Sequence, residues 1–568
     1  MSSLRSELET RIQGWAKNHF PQIGPGPWVR PCADPRHGHF QTHLPMVAAK
    51  QTGANPRELA SRLAQECPPP LDWAVPEVAG SGFVNYRVHP AAVAKAVETL
   101  RKDPAFGILQ TLKAETIVMD FSSPNIAKAM HVGHIRSTLL GDSLSRLLAR
   151  CGHKVIRINH LGDWGTQFGK LLLAYREAGR PDLDPNRSIQ QLEEFYKRGH
   201  EQAESDPKKM DEARAELAAL QNGEAERIKD WQHFCHRSAE HFHEIYRRLG
   251  VTFDLEKGES TYHDELPGLV EELLRLKIAE VSQGAVVVQN PNISEEPFLI
   301  RKSDGAFLYG TTDLAALRSR SRDLHANRII YVTDGRQQLH FRWLFDTAKK
   351  WNQHIALEHV WFGTILGPDR KPLKSRDGTP IKLVDLLDEA KERAKKILQE
   401  KRPDLSGELL NAKAELLGIA SLKYADQMPG RNLDYVFTWE KLLAFDGNTA
   451  PYILHAFVRS RSILRKAGML ATPDHPILLE ESAEEELSRQ LLRFGEVVDL
   501  AASDRRPHHL CGYLFETAGM FHRFFEACPV LQASSPALQK SRLTLVGLTG
   551  DILREGLGLL GIPTLEEM

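Results

Sequence analysis

The run from Thr116 to Ile158 constrains the fold more than any other part of the chain. It opens on "TIVMDF", a short apolar strand candidate. A turn rich in Ser, Pro and Asn follows. Ile135, Leu139, Leu140, Leu144, Leu147 and Leu148 then recur at helical spacing as far as Gly152. "KVIRI" at 154–158 is the next strand candidate. Strand, helix and strand within about 40 residues form a βαβ unit, which sets two strands parallel in one sheet. "RIIYVT" at 328–333 and "HVWFG" at 359–363 have the same character. The expected fold is therefore α/β, with a doubly wound, Rossmann-like parallel sheet.

A chain of 568 residues is too long for one simple core, so further domains flank this sheet. Residues 1–110 read as a small α+β domain. Leu4, Leu8, Ile12 and Trp15 give it a first amphipathic helix, and "SGFVNYRVHP" has the alternation of a strand. The sheet domain spans 111–435. A charged, largely helical stretch at about 172–300 interrupts it as an insertion. Residues 436–568 read as helices.

Hydrophobic residues make up 42% and charged residues 26%, ordinary for a globular protein. No run approaches the roughly 18 apolar residues of a membrane span, so no membrane partner is expected. The N-terminal stretch lacks the apolar core of a secretory signal. Six scattered cysteines with no C-x-x-C pair argue against a zinc ribbon or a disulfide framework and point to a reducing, cytoplasmic setting. A net charge of −1 carries no global sign of a nucleic-acid partner. Local basic patches exist in "GPDRKPLKSRDG" near 370 and "FVRSRSILRK" at 457–466. Arg459, Arg461 and Arg465 are spaced so that they cannot all share one helix face.

Ligands of an open parallel sheet lie beyond the carboxyl ends of its strands, where helices begin. His131, Gly133 and His134 of "HVGH" stand at such a junction. Free N–H groups and the positive end of a helix dipole suit phosphate there, imidazoles can donate to its oxygens, and Gly133 lets a flat base or ribose approach the backbone. Two other readings stay open. Histidines three apart can share a helix face and bind zinc, although no neighbouring Glu or Cys completes a ligand set, or they can cap the helix for structure alone. Neither a G-x-G-x-x-G nor a G-x-x-x-x-G-K-[ST] loop is present. "INHLGDWGTQFGKL" at 158–171 places three glycines in a polar loop after the second strand, and "KPLKSRDG" at 371–378 is a flexible basic segment whose lysines can neutralise a polyphosphate leaving group.

H-x-G-H after a first strand, then G-D-W-G-T-Q, then a late K-x-x-K-S loop resembles a class I aminoacyl-tRNA synthetase. The strings "FSSPNIAKAMHVGHIRSTLLGD", "NHLGDWGTQFGKLL", "DGAFLYGTTDLAAL", "KLVDLLDEA" and "FDGNTAPYILHAFVRSRSILRK" narrow the resemblance to the arginyl-tRNA synthetases, from about 115 to the C-terminus.

The resemblance implies an arginine–tRNA ligase. Such an enzyme adenylates L-arginine with ATP, with tRNA already bound, and passes the arginyl group to the 3′ end of tRNA(Arg), releasing AMP and pyrophosphate. It implies a tRNA-elbow-binding N-terminal domain, a helical C-terminal anticodon-binding domain, a monomer, and Mg2+ accompanying ATP without a dedicated protein site. Glu259 and Asp313 would pair with the guanidinium and Tyr309 would orient it. Ser123, Pro124, Asn125, His134 and Gln337 would hold the amino-acid end, with Asp120 a further acid beside them. His131, Gly133, His134, Lys371 and Lys374 would serve ATP. The late loop departs from the class pattern K-M-S-K-S, and the register decides whether Lys374 or Arg376 takes the second-lysine position. Lys128, just before H-x-G-H, would then supply the missing charge, making Lys128, His131, His134 and Lys374 the catalytic set. A small-molecule nucleotidyltransferase shares the H-x-G-H sheet, but the helical C-terminus and "NTAPY" disfavour it. Intact site residues disfavour a catalytically silent tRNA-binding relative.

Overall fold

The structure, a computed structural model, describes residues 4–32, 34–69, 73–185, 187–374 and 379–566. The N-terminal part is a four-stranded antiparallel sheet of β1 (Val29–Pro31), β2 (Phe40–Thr42), β3 (Ala74–Ala79) and β4 (Phe83–Val88), in the order β1-β2-β4-β3. The helix Leu4–His19 buries Leu8, Ile12 and Trp15, the apolar stripe visible in the sequence.

The centre is a five-stranded parallel sheet of β5 (Thr116–Asp120), β6 (Lys154–Leu161), β7 (Leu255–Gly258), β11 (Arg328–Asp334) and β12 (Ala356–Phe362). Its spatial order is β12-β11-β5-β6-β7. The chain runs outward from β5 to one edge, then returns to β5's other side, so the order reverses between β5 and β11. A doubly wound sheet opens its ligand crevice there. Both faces are covered, because successive strand side chains point to opposite sides. Ile117, Met119, Ile330 and Val332 join one apolar core, while Val118, Ile329 and Tyr331 join a second. The first core continues without a break into the N-terminal domain and the C-terminal helices.

The stretch expected to be a helical insertion is helical over a narrower range. Helices Ser188–Ser205, Pro207–Gln221 and Ala225–Leu249 make up most of it, with a shorter helix at Leu266–Arg275. Beyond Leu249 lie β7 and an antiparallel sheet of β8 (Glu280–Ser282), β9 (Ala285–Val288) and β10 (Phe298–Arg301). β7 is a sheet edge reading "LEKG", too short and polar to announce itself by periodicity. A short pair of β13 (Ile365–Leu366) and β14 (Tyr435–Val436) precedes the C-terminal helices, of which Ala450–Lys466, His508–Ala527 and Pro536–Leu559 are the longest. Buried Lys423 ties this bundle to the centre by donating to the carbonyls of Leu249 and Gly561, each at 2.5 Å. Among the described residues no helix is long and apolar enough to cross a membrane.

Candidate active site

The expected site residues follow the carboxyl ends of the parallel strands. The loop after β5 carries Ser123, Pro124, Asn125 and Lys128, a 3-10 helix after β7 begins at Glu259, and one after β11 ends at Gln337. Tyr309 and Asp313 open the helix Tyr309–Asp323.

The loop after β5 is held by partners from several elements. Ser122, Ser123 and Ala127 have positive φ values of 73°, 50° and 62°, a conformation that non-glycine residues keep only when their surroundings fix it. The Ser122 amide donates to Ser137 Oγ at 2.9 Å, the Ser123 amide to Asn159 Oδ1 at 3.1 Å and the Ala127 amide to Ser238 Oγ at 3.0 Å. Gly162 of the "GDWG" loop bonds this segment through both backbone groups. A Cβ on Gly162 would meet Asn125 Oδ1 at 2.1 Å, so the glycine makes room for the exposed Asn125 carboxamide.

The two histidines cap the helix Val132–Arg150. His131 Nδ1 accepts from the Gly133 amide at 3.0 Å, and His134 Nδ1 accepts from the His131 amide at 3.0 Å. An accepting Nδ1 places the ring proton on Nε2, leaving each imidazole an outward donor. Burial, then the neighbouring His131, lowers the His134 pKa to about 3. Burial, then Arg336 and Lys128, also lowers that of His131. Both rings are therefore neutral at physiological pH. Gly133 has a second reason beyond ligand approach: a Cβ there would lie 2.8 Å from the His131 ring.

Arg136, one turn further along and 1% exposed, anchors this helix. Its guanidinium pairs with Asp426 at 3.2 Å and donates to the carbonyls of Gly363 at 2.8 Å and Leu433 at 3.1 Å. The histidine helix is thereby fixed to the base of the late basic loop. That loop is also stitched to the histidine segment through Val132 to Ile381 and Leu383 to Met130 backbone bonds. Lys371 and Lys374 are exposed on it, whereas Ser375 and Arg376 lie outside the described residues.

Lys128 is half-buried, with its ammonium 4.5 Å from the centre of the Tyr196 ring. Among the described residues it has no carboxylate partner. The adjacent Glu193 is instead engaged by Lys382 and the Ala129 amide.

The acids divide into two kinds. Asp120 lies beside the site, but its charge is already met by buried Arg320 at 2.7 Å, and its other oxygen accepts from Ser123 Oγ at 3.1 Å. Asp163 accepts from the amide and hydroxyl of Ser260, at 2.8 and 2.6 Å, and so fixes the turn that carries Glu259. Asp313 and Glu259 remain for a ligand. Burial works against ionisation of Asp313. A 2.6 Å bond from His340 Nε2 and the positive surroundings of His340, His160 and Arg320 overcome this and hold its carboxyl below the ordinary range. Glu259 has no cationic partner among the described residues. Burial, then Asp313 and Asp163, raises its pKa to about 8. Tyr309, 62% exposed, lies within electrostatic reach of Glu259 and Tyr196. One ionised acid, one acid without a cationic partner among the described residues and an exposed aromatic ring together suit a planar organic cation.

Sequence reasoning missed Arg320, Asp163, His340 and Arg136. Each acts through a partner on another element, which no local pattern reports.

The family model described as "tRNA synthetases class I (R), catalytic domain" matches residues 97–439. The chain belongs to the arginyl-tRNA synthetase family. The models "Arginyl tRNA synthetase N terminal domain" and "DALR anticodon binding domain" match residues 4–88 and 453–568. The arginine–tRNA ligase of Shewanella woodyi is 44% identical over 547 residues, 94% of each chain. That of Laribacter hongkongensis is 42% identical over 559 residues, 95% of this chain and 96% of its own. Among solved structures, the Plasmodium falciparum arginyl-tRNA synthetase superposes with a TM-score of 0.86 at 28% identity, covering all of both chains. The Thermus thermophilus synthetase shares the fold at a TM-score of 0.82 and 24% identity over the same coverage.

Proposed function

We propose that this synthetase activates L-arginine with ATP and transfers the arginyl group to the 3′ end of tRNA(Arg), releasing AMP and pyrophosphate. The observation that carries the reading is Glu259, a half-buried acid with no cationic partner among the described residues, beside ionised Asp313 at the carboxyl edge of the sheet. The arginine guanidinium lies between these carboxylates under Tyr309. Ser123, Pro124, Asn125, Gln337 and His134 hold its amino and carboxylate groups, and Asp120 shapes the wall through Arg320. The substrate carboxylate then attacks the α-phosphorus in line, a reaction governed by positioning and charge. His131 and His134 donate from Nε2 to the phosphate and ribose, Gly133 keeps the helix end open, and Lys128, Lys371 and Lys374 meet the charge of the leaving pyrophosphate.

Mg2+ accompanies ATP. Its ligands are triphosphate oxygens and water, and no step is assigned to it. The N-terminal domain, residues 1–110, takes the tRNA elbow, and the helices from 436 onward take the anticodon end. There Arg461 is engaged by Asp551 and Arg465 by Glu566, while Arg459 meets His522 and the Phe525 ring. The protein works as a cytoplasmic monomer.

Arginine binding itself tests the reading. Glu259 is mostly protonated below pH 8 in the free site, and a guanidinium favours its ionised form, so binding expels the proton. Affinity should rise with pH as far as about 8 and level off above it. Titration calorimetry at pH 7 in buffers of different ionisation enthalpy should show close to one proton released per arginine. A binding enthalpy independent of buffer would overturn the placement of arginine against Glu259.

A further inference from the structure

The two oxygens of Asp313 are not equivalent. Oδ2 receives His340 Nε2 at 2.6 Å, while Oδ1 has no donor within hydrogen-bonding distance among the described residues. The nearest cation-capable group to Oδ1 is His160 Nε2 at 4.0 Å, beyond the reach of a hydrogen bond. An aspartate held through one oxygen has a fixed side-chain rotation, and its second oxygen becomes the aimed acceptor. His340 is itself held. It lies in the first turn of the helix Gln338–Lys350, with its ring edge-on to Phe298 at 5.8 Å and to Phe341 at 5.3 Å.

We infer that His340 is a positioning residue for amino-acid recognition, fixing Asp313 so that Oδ1 faces the arginine guanidinium. The inference rests on the proposed pairing of Asp313 with arginine. His340 acts at a distance from the reacting atoms, so its loss weakens arginine capture and leaves phosphoryl chemistry largely intact. Charged and titratable groups face Asp313 from every side: His340, His160 on β6, Arg320 on its own helix, Tyr331 on β11 and Glu259 after β7. Without the His340 donor, burial acts on Asp313 with less opposition, so its carboxyl should protonate at higher pH.

The test compares His340→Leu, His340→Gln and Asp313→Asn in tRNA-supported ATP–pyrophosphate exchange. His340→Leu should raise the KM for arginine roughly 10- to 100-fold, the range of a hydrogen bond to a charged group. Its kcat and its KM for ATP should stay within about threefold of the parent. The arginine KM of that variant should fall steeply with rising pH where the parent's profile is shallower. His340→Gln, which keeps a neutral N–H donor of similar reach, should recover most of the loss. An unchanged arginine KM in His340→Leu, with a large rise in Asp313→Asn, would overturn the role of His340 alone. No change in Asp313→Asn would overturn the pairing on which it rests. A collapse of kcat and both KM values together, unrelieved by glutamine, would make His340 a structural residue and overturn the inference.

Discussion

Replacing Asp313 by asparagine lowers kcat/KM for arginine roughly 10³-fold, while the KM for ATP stays within about threefold. The size follows from leaving a desolvated guanidinium without its ionised partner, an effect that polar-group readers show at 10²-fold and above. Asparagine keeps the volume and can still accept through its carbonyl, so the change isolates the charge. Compensation comes from Glu259, whose carboxyl is raised by burial and then by the charge of Asp313. With that charge gone, Glu259 ionises more readily and carries part of the attraction. The residual arginine affinity of Asp313→Asn should therefore reach its plateau at lower pH than the parent's. Steady-state exchange across pH measures both effects. A loss below tenfold would place the guanidinium elsewhere in the crevice.

Lys128→Ala should slow adenylate formation roughly 10²-fold in a single turnover, with arginine affinity within about threefold. The side chain stands three residues before the His131 cap, and its ammonium rests over the Tyr196 ring rather than on a carboxylate. A cation–π contact of this kind is worth about 0.5–2 kcal/mol, so the charge can leave the ring for a developing pyrophosphate at little cost. An ion pair with Glu193 would hold it more firmly, but Glu193 is taken by Lys382 at 2.8 Å. Rapid-quench measurement of arginyl-adenylate resolves the chemical step from binding. If Lys128→Ala activates arginine at the parent rate while Lys374→Ala does not, the pyrophosphate charge comes from the late loop instead.

Four of the five parallel strands were legible because each contains a short, nearly continuous apolar run. β7 was not, since an edge strand reading "LEKG" has no apolar periodicity. The antiparallel strands Glu280–Ser282, Ala285–Val288 and Phe298–Arg301 were hidden inside a stretch dominated by charged helices. At the site, "HVGH" marked itself by its place between a strand and a helix. The consequence that its Nδ1 atoms are occupied by backbone amides, fixing the donors on Nε2, needed coordinates. Nothing in the sequence distinguishes Arg136, yet it is buried against Asp426 and two carbonyls. Asp120, expected as a further acid beside the site, is paired with Arg320. Pairings across elements are set by packing, and a single sequence does not carry them.

ATP–pyrophosphate exchange with each amino acid, with and without tRNA(Arg), tests the central claim most directly. The site predicts exchange with arginine when tRNA(Arg) is present and none with lysine, whose ammonium leaves part of the carboxylate fork unpaired. Exchange that does not depend on arginine, or its absence with arginine and every tRNA, would contradict the account.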